Sequence, residues 1–230
     1  MSIARVVLAV GGPGSPLAAL AARLASRLEA ELLGLFVEDE NWFRMAALPF
    51  TRVAGPGPLS EVIDPEVLAR ALRAGFADIE RTLAATAPPE VRWSLRAVRG
   101  LVVAEAVREA GSGDLVVVPA EALAGAGLEV AARARSHILG LRADVEVRRI
   151  VTVAGSEADV SEMAARLAAA CGWPLERAEA AEVEKQGRAP GTVIAVRAAD
   201  VPPGLRAGSR SLLLVRCSEA APAAEDRERR

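Results

Sequence analysis

A glycine-rich turn between two apolar segments opens the chain and is the feature that most constrains its fold. A strand is predicted over Ile3 to Val10, and the run Gly11-Gly12-Pro13-Gly14-Ser15-Pro16 follows it directly. Leucine and alanine at helical spacing then predict a helix that begins at Pro16. A second apolar strand is predicted over Leu32 to Val37. Strand, turn, helix and strand form the opening unit of a parallel α/β sheet, whose ligands bind at the carboxyl ends of the strands.

Further helices and strands alternate after this unit. They are predicted as a helix between Asp64 and Pro88, a strand over Val91 to Val98, a short helix after Gly100, a strand over Leu115 to Val118, and a helix over residues 126–142. Residues 41–63 are predicted to form a long connection. The alternation is typical of the α/β class and predicts a doubly wound parallel sheet with helices on both faces.

The pattern begins again near residue 149. Arg149 to Ser156 is similar to Arg5 to Gly12, and a helical stripe from Val160 to Cys171 follows it. A repeat with a period of roughly 145 residues indicates a duplicated domain. We therefore expect a first domain over residues 1–143, a truncated second copy over 147–217, and a disordered polar tail over 218–230. The remaining strands of the second copy are predicted over Thr192 to Val196 and Leu212 to Val215.

Composition excludes several classes of function. Hydrophobic residues make up 52% of the chain and charged residues 25%, which indicates a folded protein. The net charge of −2 favours neither nucleic acid nor an anionic membrane as a partner. The first strand is predicted to start at residue 3, without a signal peptide before it, so we expect a cytoplasmic protein. Cys171 and Cys217 match no metal-ligand spacing.

Three segments of the first domain point to a known family. Val6 to Val10, the helix Ala18 to Ala30, and the run Glu31 to Glu40 resemble universal stress proteins. With Leu48-Pro49-Phe50 they are similar to bacterial tandem members that carry a "GLFVEDE…LPF" segment. The resemblance covers residues 3–118 well and residues 149–175 more weakly. It implies the family's doubly wound α/β fold, similar to that of the adenine nucleotide alpha hydrolases.

The resemblance also implies how exposed sheet edges are covered. Members of the family commonly dimerise through their last strand, and in a tandem chain the two halves can pair internally as a pseudo-dimer. An uncovered strand edge invites pairing with other chains. The edges expected to meet are Val145 to Val147 and Leu212 to Val215.

The resemblance breaks down at the nucleotide site. Family members that bind ATP have an aspartate at the end of the first strand, where this chain has Gly11. They also have a G-x-x-G-x9-G-[S/T] loop after the fourth strand, and a direct count puts Pro119 and Ala122 at its first two glycines. Proline has no N–H to offer a phosphate, and Cβ atoms obstruct close approach to the backbone.

A shifted frame of this motif does not restore it. The shift aligns Gly125 and Ser136 but places Arg135 on the last glycine. In the second copy, Gly155 again replaces the aspartate, and Pro202-Pro203-Gly204 replaces the loop. The resemblance therefore implies that neither half binds ATP in the usual way.

Two functions remain open. The first is a non-enzymatic, stress-associated protein without a cofactor, which acts through contacts with a protein partner or as a homodimer. The second is binding or weak hydrolysis of ATP or AMP in a degenerate pocket. The residues expected to line that pocket are Gly11, Gly12, Val37, Pro119, Gly125 and Ser136.

Other chemistry-bearing residues favour structural interpretations. The acids Glu38-Asp39-Glu40 are consecutive in a predicted loop and are expected to be solvated. His137, the only histidine, is predicted to be an ordinary helix residue, because no serine or cysteine partner stands in a recognisable order. An apolar cluster in the long connection either folds onto the sheet or forms a lid or partner surface. Its members are Trp42, Phe43, Met45 and Phe50.

Overall fold

The computed structural model describes residues 3–12, 16–46, 52–53, 61–62, 65–187, 189–197, 200–201 and 211–216. The strands of this part of the chain are β1 (Arg5–Val10), β2 (Glu31–Asp39), β3 (Arg52–Val53), β4 (Glu61–Val62), β5 (Trp93–Gly100), β6 (Asp114–Pro119), β7 (His137–Leu141), β8 (Arg149–Val153), β9 (Leu175–Ala178), β10 (Thr192–Arg197) and β11 (Leu212–Val215). The helices are α1 (Pro16–Arg27), α2 (Glu40–Ala46), α3 (Pro65–Thr86), α4 (Val102–Glu109), α5 (Ala126–Ala132), α6 (Ala158–Cys171) and α7 (Ala180–Gln186). A 3₁₀ turn (Ala120–Leu123) follows β6.

Nine of these strands form one sheet in the order β5-β2-β1-β6-β7-β11-β10-β8-β9. Neighbouring strands are parallel except at one place, where β7 and β11 run antiparallel. We call this antiparallel pair the seam. The first five strands follow the 3-2-1-4-5 order of doubly wound sheets. The predicted α/β class and mostly parallel sheet are therefore confirmed.

Helices cover both faces of the sheet. Val6, Leu8 and Val10 of β1 belong to one buried cluster, which also contains residues of α1, α3 and α6. Val7 and Ala9 point the other way, into a second cluster with residues of α4, α5 and α7. Because parallel strands are buried on both faces, their sequences are continuous apolar runs, as β1 and β6 show.

The helix predicted over residues 126–142 is wrong in its second half. Helix α5 ends at Ala132, and His137 to Leu141 form strand β7, in which every residue is buried. The expected pairing edge Val145 to Val147 is wrong for the same reason, since this segment connects β7 to β8. The other expected edge, Leu212 to Val215, is confirmed as β11 and pairs with β7. A short apolar run can be a buried helix or a buried strand, and periodicity alone does not separate the two.

The same strand contact occurs on both sides of the seam. In the first half, Arg5 Nε donates to Oδ2 of Asp114 at 3.1 Å, and these residues are register partners of β1 and β6. In the second half, Arg149 Nε donates to Oγ1 of Thr192 at 3.2 Å, and these are register partners of β8 and β10. Arg149 therefore occupies the position of Arg5.

The helices that follow β1 and β8 also end alike. Glu29 and Gly172, just after α1 and α6, both have left-handed backbone conformations, with φ of 53° and 70°. In each case the residue after the left-handed one closes a backbone hydrogen bond of 2.9 Å, from Ala30 to Ala25 and from Trp173 to Ala168. These matched contacts support the interpretation of a duplicated unit, while the boundaries at 143 and 147 stay predictions.

The second half lacks one block of the first. Among the described residues it has no counterpart of the segment from α2 to β5, and β9 forms the outer strand on its side of the sheet. Helix α7, which the sequence did not predict, joins β9 to β10. Strand β9 follows Trp173, and the strand predicted over Thr192 to Val196 is present as β10. The tail 218–230 lies outside the described residues.

Candidate functional site

The carboxyl ends of β1 and β2 are closely packed. A Cβ atom on Gly11 would lie 3.2 Å from Cγ2 of Val102 and 3.4 Å from the carbonyl oxygen of Val37. Val37 is fully buried and Val102 is half-buried at the start of α4. A larger side chain at Gly11 would therefore have to displace Val102.

Beyond β6, several backbone N–H groups donate hydrogen bonds to carbonyls of the same segment. Pro119 leads into the 3₁₀ turn Ala120–Leu123, and the N–H of Ala124 donates to the carbonyl of Glu121 at 3.2 Å. Two later amides also donate within the segment: the N–H of Gly127 to the carbonyl of Ala124 and the N–H of Leu128 to that of Gly125, both at 3.1 Å. These three N–H groups are therefore satisfied within the chain. A phosphate-binding loop needs such donors to face the ligand.

Tight backbone packing fixes this turn. A Cβ atom on Gly127 would overlap the carbonyl oxygen of Ala122, and one on Gly140 would overlap the side chain of Leu123. Leu123 is buried against β7 in this way. The sequence indicated Gly125 but not Gly127 or Gly140, because close approach between neighbouring segments leaves no local signal.

The residues predicted for a degenerate nucleotide pocket do not all meet. Gly11, Gly12, Val37 and Pro119 lie at the carboxyl ends of β1, β2 and β6, and Gly125, with φ of 54°, precedes α5. Ser136 lies at the opposite end of the sheet, because β7 pairs with β6 from Leu115 and His137 onward. It is 3% exposed, and within the described residues its Oγ has no hydrogen-bond partner. Placing Ser136 in the pocket is therefore wrong.

Two of the three consecutive acids at the end of β2 form ion pairs with arginines. Strand β2 extends to Asp39, and Glu40 begins α2, so these residues are not a loop. Glu38 pairs with Arg99 at 3.4 Å and Glu40 pairs with Arg44 at 2.8 Å. In the part of the chain that the structure describes, no group of three or more histidine, cysteine, aspartate or glutamate side chains could hold a metal ion.

The apolar connection is partly helical, as α2. Phe43 is half-buried and packs against the core cluster of α1 and α3. The guanidinium of Arg99 lies 4.1 Å above the centre of its ring, within the range of a cation–π contact. For Phe43 the structure therefore favours the loop folded onto the sheet over an open lid. Phe50 and the side chain of Trp42 lie outside the described residues.

His137 is a buried strand residue of the seam, so the prediction of a helix residue is wrong. Its Nδ1 accepts a hydrogen bond of 3.2 Å from the backbone N–H of Arg216. Burial lowers the pKa of His137 below its ordinary value, the charge of Arg216 lowers it further, and Asp159 opposes both. Across the seam, the N–H of Arg142 donates to Oγ of Ser211 at 3.3 Å in the equivalent place.

A groove between α1 and α6 is the feature that sequence reasoning missed entirely. It has a volume of about 940 Å³, and we call it the α1–α6 groove. Leu20 and Arg23 of α1 line one side, Cys171 and Trp173 line the other, and residues 142–147 close one end. Burial raises the pKa of the Cys171 thiol to about 12, although the charge of Arg23 lowers it. Cys171 therefore contributes a neutral, apolar surface.

Two further findings concern the described helices and the comparisons with known proteins. None of the helices in the described ranges is both long enough and apolar enough to cross a bilayer. In searches against known proteins, no protein-family model matches the chain, and no curated protein matches it significantly.

Proposed function

We propose that this is a cytoplasmic, non-enzymatic protein of the universal stress type, which acts through protein contacts and has lost the family's nucleotide site. The resemblance over residues 3–118 supports the family, and the order β5-β2-β1-β6-β7 agrees with its doubly wound fold. The seam between β7 and β11 supports an internal pseudo-dimer, because it joins the last strand of each half antiparallel.

The crowded crevice between β1 and β6 carries the proposal. Ligands of doubly wound sheets bind at this switch point, beside the carboxyl ends of the strands. Here a Cβ atom on Gly11 would lie 3.2 Å from Cγ2 of Val102, and the amides of Ala124, Gly127 and Leu128 donate to carbonyls of their own segment. An adenylate would find glycine in place of a carboxylate at the end of β1, and these three amides would not be free to bind its phosphates.

A nucleotide titration tests the loss of the site. Purified protein is heated with ATP or AMP, with and without Mg²⁺, and the melting temperature is expected to stay unchanged. A ligand that binds the folded state stabilises it by about 2.7 kcal/mol at a hundredfold excess over its dissociation constant. Stabilisation of that size by either nucleotide, or release of phosphate from ATP, would contradict the proposal.

Contact with a protein needs a separate measurement. The full chain, immobilised through a terminal tag, is expected to retain a defined protein from an extract of its own cells, identified by mass spectrometry. This part of the proposal would be overturned if the tagged chain retained no more protein than the empty resin and sedimented as a monomer. Such a result would show neither a protein partner nor a homodimer.

An altered nucleotide pocket is the second candidate. One observation favours it, since a Cβ atom on Gly12 would meet no atom of the described residues within 4 Å, so a ligand could approach the backbone there. This candidate requires that ATP or AMP stabilise the protein and that Gly12→Val remove the effect. Equal stabilisation of both proteins would place the nucleotide elsewhere.

A further inference from the structure

The α1–α6 groove combines an apolar floor with basic groups on its rim. Five half-buried residues form the floor and pack against the core below it: Leu20, Val147, Ala170, Cys171 and Trp173. The volume of about 940 Å³ lies within the range of about 300–1,000 Å³ that is typical of small-molecule sites.

Two arginines of α1 supply the polar groups. Arg23 and Arg27 both line the groove and are exposed. Within the described ranges of the chain, neither has an ion pair or a hydrogen bond. Arg23 lines the groove together with Cys171, and its charge lowers the pKa of that thiol against the effect of burial. The two side chains are four residues apart, so they lie one above the other on the same helix face.

The other charged residues of the groove do not cancel the positive charge of Arg23 and Arg27. Arg142 is held by Asp144 through two hydrogen bonds of 3.0 and 2.6 Å, so this pair adds no net charge. Glu146 is the remaining carboxylate among the lining residues, and it is exposed. Two guanidinium groups of α1 therefore stand against one carboxylate of the connecting segment.

The arrangement defines the chemistry of an occupant. A guanidinium presents a planar fork of donors that matches a carboxylate in two parallel hydrogen bonds. Leu20 and Arg27 are seven residues apart on α1, a rise of about 10 Å, which is comparable to the length of a medium-chain alkyl group. We propose that the α1–α6 groove binds a small amphipathic carboxylate, with its hydrocarbon body on the floor and its carboxylate on Arg23 and Arg27. The site is separate from the β1–β6 crevice and does not depend on the proposed function.

Calorimetric titration of the full chain with decanoate, below its critical micelle concentration, tests the site. Two double variants carry the same loss of charge on exposed helix surface: R23A/R27A in the groove and R70A/R73A on α3 outside it. Decanoate is expected to bind the wild type and R70A/R73A equally. In R23A/R27A the affinity is expected to fall by about ten- to a hundredfold, because charge-assisted hydrogen bonds are lost. Decan-1-ol, which lacks the carboxylate, is expected to bind all three proteins weakly and alike.

Fluorescence of Trp173 provides a second readout at the floor. In a background with Trp42→Phe and Trp93→Phe, decanoate is expected to shift the Trp173 emission of the wild-type groove, and far-UV circular dichroism checks that every variant folds. No heat and no emission change with millimolar decanoate would overturn the proposal. So would equal binding to R23A/R27A and the wild type, or an equal loss of binding in R70A/R73A.

Discussion

Acid is expected to weaken the seam through His137. This side chain is 1% exposed, and its Nδ1 accepts the backbone N–H of Arg216 at 3.2 Å. Protonation would put a hydrogen on Nδ1, so the hydrogen bond from Arg216 would be lost. It would also place a positive charge next to the guanidinium of Arg216. The folded protein therefore favours the neutral imidazole, in agreement with the lowered pKa of His137.

The sign of the pH dependence follows from the lowered pKa. As the pH falls below about 6.5, the ordinary pKa of histidine, the unfolded chain binds the proton before the folded chain does, so the free energy of unfolding decreases. Between the folded and unfolded pKa values, the decrease approaches about 1.4 kcal/mol per pH unit for one proton. Above this window the contribution of neutral His137 is fully present.

Urea denaturation at several pH values, with His137→Asn as the matched variant, measures this effect. The asparagine oxygen can accept the N–H of Arg216 without titrating, so the variant keeps an acceptor at the seam. The wild type is expected to lose stability relative to the variant below about pH 6.5, while carboxylate titration affects both proteins alike. Because His137 is the only histidine, NMR also gives its tautomer and pKa directly. Parallel stability profiles, or a folded-state pKa at or above 6.5, would refute the reasoning.

Three further outcomes are expected. Gly127→Ala should lower the free energy of unfolding by about 1–3 kcal/mol in chemical denaturation, because the new Cβ would overlap the carbonyl oxygen of Ala122. Gly12→Ala, whose Cβ meets nothing within 4 Å, should change it by less than about 0.5 kcal/mol, and equal losses would contradict the packing argument. The Cys171 thiol, with a pKa of about 12, should react with iodoacetamide at neutral pH far more slowly in the folded than in the urea-unfolded protein. Glu146→Gln should tighten decanoate binding in calorimetry, since it removes the remaining carboxylate of the α1–α6 groove.

Strands and helices with a strong local signal were predictable from the sequence. The apolar runs of β6 and β11 are compact, and the leucine stripe of α3 starts at a proline cap, so both strands and the helix are present close to their predicted ranges. Strand β7 was missed because its five residues follow a short helical segment without a proline between them. Its identity as a strand depends on pairing with β6 and β11, which lie far away in the sequence.

The position of a candidate site residue was predictable only where it follows directly from the end of one strand. Gly11 follows β1 directly and Pro119 ends β6, so their place at the carboxyl edge follows from the parallel sheet. Ser136 was assigned from motif spacing alone, and the strand that begins after it carries it to the other edge. The α1–α6 groove has no local signal, because it forms between helices that the seam brings together.

The position of each strand in the sheet agrees with the side chains that it exposes. Strand β7 has no exposed residue, so its edge needs a partner strand, and β11 provides one within the same chain. The two outermost strands are different, since β5 exposes Arg96 and Arg99, and β9 carries Glu176 and Arg177 within four residues. Charged and short edge strands resist pairing with other chains. The second half could therefore lose the block from α2 to β5 and still end in a protected edge, whereas loss of β11 would expose a wholly apolar one.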